Sequence, residues 1–93
     1  MRNRKFLSQA RKDLFELGFV FHAEINSFRR WIGDLEVHCE PFQDYQKRIR
    51  FKIYLVYRPL ENDDEVTDVV YCNSFVLVSL QKFILVLETL KNS

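Results

Sequence analysis

Glycine and proline are nearly absent from this chain, two of each among 93 residues. That scarcity excludes a glycine-rich phosphate cradle, leaves few turns of special geometry, and favours long regular elements. Cysteine is as sparse. Cys39 and Cys72 stand alone, with no C-x-x-C and no cluster, which argues against a disulfide framework or a zinc module and for a reducing, cytoplasmic setting. Neither sign of charge dominates: 14 Lys and Arg against 13 Asp and Glu give a net +1, so no global field draws the chain to nucleic acid or acidic membranes. The most apolar stretch, "FVLVSLQKFILVL" (75–87), is interrupted by Gln81 and Lys82 and is shorter than the roughly 20 residues that cross a bilayer. The start, "MRNRKFLSQARKDL", has no apolar region behind its charges, so no signal peptide is expected. H-E-x-x-H and G-x-S-x-G are missing too, and no motif surrounds Ser8, Ser27, Ser74 or Ser79. The expectation is a non-enzymatic protein with no cofactor and no metal.

What is present is ordinary for a globular protein: 47% hydrophobic and 29% charged residues, with nine Phe, four Tyr and one Trp. The length suits one domain, residues 1–93. Leu7, Ala10, Leu14 and Leu17 fall on one helical stripe, and Gly18 offers the left-handed stop on which helices often end. The period then changes to two. "FVFHAEIN" (19–26), "DLEVHCE" (34–40) and "RIRFKIYLVYR" (48–58) each alternate apolar and polar residues, and "VTDVVYC" (66–72) is rich in β-branched residues. These predict four strands, with "SFRRWIG", "PFQDYQK" and "PLENDDE" as links. Val76, Leu80, Phe83, Leu87 and Leu90 mark a second helix over 74–91, with Asn73 or Ser74 as its N-cap. The predicted fold is α+β with the order α-β-β-β-β-α: a two-layer sandwich in which a four-stranded antiparallel meander carries both helices on one face.

On the solvent face the sharpest cluster is His22, Glu24, Glu36 and His38. If Glu40, His38 and Glu36 of the second strand face Arg48, Arg50 and Lys52 of the third, the acids have a structural explanation in cross-strand pairing. If the first strand sets Glu24 opposite His38, each histidine has a carboxylate and the cluster is inert. If it sets His22 opposite His38 and Glu24 opposite Glu36, the four form a metal or acid–base site, the second alternative reading, a metal-dependent hydrolase. The first register is expected, because directly opposed glutamates repel.

A nucleic-acid reading rests on Arg29 and Arg30 beside Trp31, with the basic first helix (Arg2, Arg4, Lys5, Arg11, Lys12). Against it stand Asp34, Glu36, Glu40 and the acidic run at 61–65. The apolar surplus is the stronger clue. Val78, Leu85 and Val86 exceed one stripe of the last helix, and Tyr54, Val56, Val66 and Val70 are expected to form an exposed patch rimmed by charge. Surplus apolar surface on a soluble domain usually marks association. The favoured function is a small protein-interaction module, an adaptor, regulator or inhibitor, whose partner is another protein or a second copy of itself, with no membrane contact. Nucleic acid is the alternative partner.

Overall fold

The computed structural model describes residues 4–24, 26–57 and 68–91, with backbone alone at residues 4, 5, 57 and 68–70. The elements are α1 (Arg4–Glu16), β1 (Val20–His22), β2 (Ser27–Ile32), β3 (Leu35–Gln43), β4 (Ile49–Tyr57), β5 (Asp68–Phe75) and α2 (Leu77–Lys91). The strands form one antiparallel sheet in sequence order, β1-β2-β3-β4-β5. The chain is thus a small α+β domain, and its strand count is five rather than the four the sequence predicts.

The extra strand is the segment expected to be a link. "SFRRWI" pairs with β1 on one side and β3 on the other. It is joined to β3 by Gly33 and Asp34 alone, and Gly33 sits at φ +62°, a two-residue hairpin turn that suits glycine. β1 shrinks accordingly to three residues, and Glu24 falls in the turn that follows it. The first predicted strand therefore never meets the second, and both registers drawn between them are overturned.

Two further registers move, keeping their faces except past the β4–β5 irregularity, where Val69 rather than Asp68 lies opposite Val56. Glu40 lies opposite Lys52, four residues further along β4 than the expected Arg48, and His38 opposite Tyr54. The cause is the 44–48 loop. Asp44 Oδ1 accepts the backbone N–H groups of Gln46 and Arg48 at 2.9 Å each, and Oδ2 accepts from Arg48 Nε at 3.1 Å. This wrapping fixes the hairpin centre at residue 46 and carries β3 on through Pro41 to Gln43. Across β4 and β5, Phe51 pairs with Phe75 and Leu55 with Tyr71, but Val56 then pairs with Val69, so Val70 is the extra residue of a β-bulge. β5 also continues to Phe75, past the expected N-cap residues. Val76, whose carbonyl accepts the Leu80 N–H, takes that position.

One buried cluster unites Ala10 and Leu14 of α1 and Leu80 and Ile84 of α2 with Phe19 and with Phe28, Ile32, Val37, Cys39, Phe51, Ile53 and Leu55 of the sheet. The end of α1 shows why it enters this core at a fixed angle. The Phe19 N–H bonds the Leu14 carbonyl at 2.9 Å and the Gly18 N–H bonds the Phe15 carbonyl at 3.0 Å, with Gly18 at φ +84°. These are the two bonds of a Schellman motif, and its customary hydrophobic contact is present as Leu14 and Phe19, both fully buried. Among the described residues no helix is long and apolar enough to cross a membrane.

Candidate functional site

Opposed residues of a ladder share a face, so the core positions leave Arg29, Trp31, Glu36, His38, Glu40, Lys52, Tyr54, Val56 and Cys72 on the opposite, polar face. Its centre is Glu36, which is fully buried. Trp31 and Val56 are its partners on either side. A buried carboxylate must be compensated, and two side chains do so. Arg29 Nη1 donates to Glu36 Oε1 at 2.7 Å and His38 Nε2 donates to the same oxygen at 2.6 Å. The other amino group of Arg29 donates to His22 Nδ1 at 3.1 Å, so β1, β2 and β3 are tied by one chain of polar contacts. Trp31 stands half exposed beside it.

The sequence's four-residue cluster is therefore brought together in part. His22, Glu36 and His38 join one network, but the residue that links them is Arg29, which the sequence offers only for the alternative nucleic-acid reading. Glu24 is exposed in the turn and makes no hydrogen bond or ion pair among the described residues. Among the described residues, no group of three or more His, Cys, Asp or Glu side chains is placed to hold a metal ion. The missed signal is the alternation inside "FRRWI": Phe28 and Ile32 flank Arg30 at a spacing of two.

That alternation also separates the proposed Arg29/Arg30/Trp31 trio. Arg29 and Trp31 lie on the polar face. Arg30 lies on the core face, where Nη1 donates to the Leu17 carbonyl at 2.8 Å and Nη2 pairs with Glu88 of α2 at 3.1 Å. It bridges the mouth of an open groove of about 470 Å³ between the end of α1 and α2, lined by Gly18, Ile84 and Leu85 among others.

The expected Tyr54/Val56/Val70 patch is not an exposed one at the described positions. Tyr54 is half-buried and Val56 is buried. The Val70 side chain, Val66 and the acidic run at 61–65 lie outside the described residues. Lys52 reaches over the Tyr54 ring, 5.4 Å from its centroid. The neighbouring Tyr54 holds the Lys52 ammonium above the usual lysine range, with smaller help from Cys72 and Glu40. On α2, Val78, Leu85 and Val86 are all more than half exposed. Val78 and Leu85, seven residues apart, lie along one line on the groove side. Val86 lies on the other flank, next to Phe83, which stacks on Tyr71 and Phe75 of β5.

No family model, no curated protein and no solved structure matches this chain.

Proposed function

We propose that the protein is a non-enzymatic, cytoplasmic interaction module that binds another protein. In this reading the domain has two layers, both helices lie on the core face, and the polar face is the recognition surface. The observation that carries it is the Arg29–Glu36–His38 network beside half-exposed Trp31. Trp, Tyr and Arg dominate interface energetics when they are already ordered, because little side-chain entropy is lost on binding. Trp31, Tyr54 and Arg29 occupy this one face. Val78 and Leu85 on α2 are the second candidate surface. The nucleic-acid reading is weaker, since Arg29 and Arg30 point to opposite faces and each is engaged by an acid.

The test is retention of partners from a native extract by the immobilised full chain and two variants. A protein held by the wild type and by Leu85→Glu, and lost at least tenfold by Trp31→Ala at unchanged melting temperature, is the expected result; an anchor residue of this kind is worth about 2 kcal/mol or more. Equal retention by Trp31→Ala would overturn the assignment to the polar face.

A further inference from the structure

The polar contacts across β1, β2 and β3 fix where the protons sit. Arginine has only N–H donors, so His22 Nδ1, which accepts from Arg29 Nη2 at 3.1 Å, carries no proton. A carboxylate has only acceptors, so His38 Nε2, which donates to Glu36 Oε1 at 2.6 Å, carries one. The Arg29 guanidinium is gripped at its two amino groups, by Glu36 and by His22, while its Nε is buried with no hydrogen-bond partner among the described residues. The two histidines therefore answer a further proton differently. On His38 it strengthens the bond to Glu36. On His22 the vacant nitrogen is Nδ1, the atom Arg29 occupies, so the proton ends that hydrogen bond and sets one cation against another. Among the described residues this is the single side-chain hydrogen bond or ion pair made by β1, a strand of three residues that pairs in the sheet with β2 alone.

We infer that His22 is a proton-operated latch: uncharged, it holds Arg29 and the end of β1 against β2, and charged, it releases both while Glu36 stays with His38. The charge balance supports this. The network holds one acid, Glu36, and one permanent base, Arg29. Histidine is the side chain that gains its charge between about pH 5 and 8, so acid adds up to two positive charges here and no negative one. Both act against Arg29, since charged His22 repels it and charged His38 competes for the oxygen they share. The other groups around the network do not offset this. Glu40 of β3 is exposed and lies opposite Lys52 of β4, and Glu24 is exposed in the turn after β1. Tyr54 lies opposite His38, and Ser27 and Trp31 of β2 bring no charge. From α1, Arg11 lies over the Phe21 ring at 5.6 Å and adds a positive one. The latch lies on the face of the proposed partner site, but it goes beyond that reading and needs no partner for its test, so each can fail alone.

Magnetic resonance of the full chain tests it, with ring nitrogen shifts reporting the charge on each histidine and hydrogen exchange, corrected for its intrinsic pH dependence, reporting the β1–β2 ladder. Between about pH 7.5 and about pH 5 the protection of that ladder should fall at least about tenfold, in step with the charging of His22, while the β3–β4 amides keep theirs. His22→Gln supplies a carbonyl acceptor that cannot become charged, and it should keep the ladder protected at both values. His38→Gln, with His22 intact, should still show the fall. Wild-type protection that is the same at both values overturns the inference. So does a fall out of step with the charging of His22, a fall of equal size in His22→Gln, or one abolished by His38→Gln. If His22→Gln does not seat β1 even at neutral pH, the wild-type comparison decides alone.

Discussion

Glu36 is the residue with most at stake. Its carboxylate is fully buried and shares one oxygen between Arg29 and His38. Removing one partner of such a group leaves the other charge without compensation in a poorly solvated place, which costs about 3–5 kcal/mol. Glu36→Ala should therefore lower the unfolding free energy by about 3 kcal/mol, given that Arg29 keeps some contact with water. Arg29→Ala should cost a similar amount, and the double variant distinctly less than the sum, with a coupling of at least about 1 kcal/mol. Urea titrations of the four proteins measure this. Additive losses would mean that Arg29 and Glu36 are not an energetic unit, and the site beside Trp31 would lose its basis. Part of this was legible in the sequence: His22, Glu36 and His38 were singled out and do share a network. Arg29 was not connected to them, since the connection exists only if residues 27–32 are themselves a strand. The pair of arginines in "FRRWI" hides that strand, because one of them, Arg30, spends its long stem on the core face and its head group on Glu88 and the Leu17 carbonyl.

Among the elements, the 44–48 loop decides register. Face assignment in β3 and β4 follows from alternation alone and is correct in the sequence reading, since a shift of four residues preserves parity. The shift itself was invisible to cross-strand charge matching, where each pair is worth only about 0.2–1 kcal/mol and several registers look alike. Asp44 settles it. Its carboxyl is held below the usual range, first by the Arg48 backbone N–H, then by the Arg48 side chain and the Gln46 N–H, against a smaller opposing effect of burial. A carboxyl lowered in the folded state adds stability above the ordinary Asp value, about 3.9, and that contribution disappears as pH falls through the folded-state value. Asp44→Asn should melt below the wild type at neutral pH, and the gap should close as the solution is acidified past that point. Melting curves at a series of pH values provide the check; a gap that does not depend on pH would show that the charge of Asp44 is not what holds the loop. The Gly33–Asp34 turn is the counterpart that could have been read in advance, since a glycine followed by aspartate between two alternating segments is a recognised hairpin signal.

At the scale of the whole molecule the two cysteines report on cooperativity. Cys39 lies in the middle of the sheet, between Phe28 and Ile53, at 0% exposure. Burial pushes its thiol far above the usual cysteine range, and the neighbouring Glu40 charge pushes in the same direction. Since the thiolate is the reactive form, Cys39 is protected twice, by lack of access and by lack of ionisation, while Cys72 is exposed on β5. A thiol reagent followed by mass spectrometry should therefore modify one site rapidly, Cys72, and the second only through opening of the core. If the domain has about 5 kcal/mol of stability, that second reaction should be roughly 10³–10⁴ times slower than in the unfolded chain. The same measurement separates local from global opening. Ile84 belongs to α2 yet shares the buried cluster with Cys39 of β3, and Ile84→Val should cost about 1 kcal/mol. If helix and sheet open together, that loss must appear as an approximately fivefold faster modification of Cys39. A Cys39 rate indifferent to Ile84→Val, or one comparable to that of Cys72, would mean that β3 opens without α2, and that the cluster is a set of contacts rather than a single cooperative core.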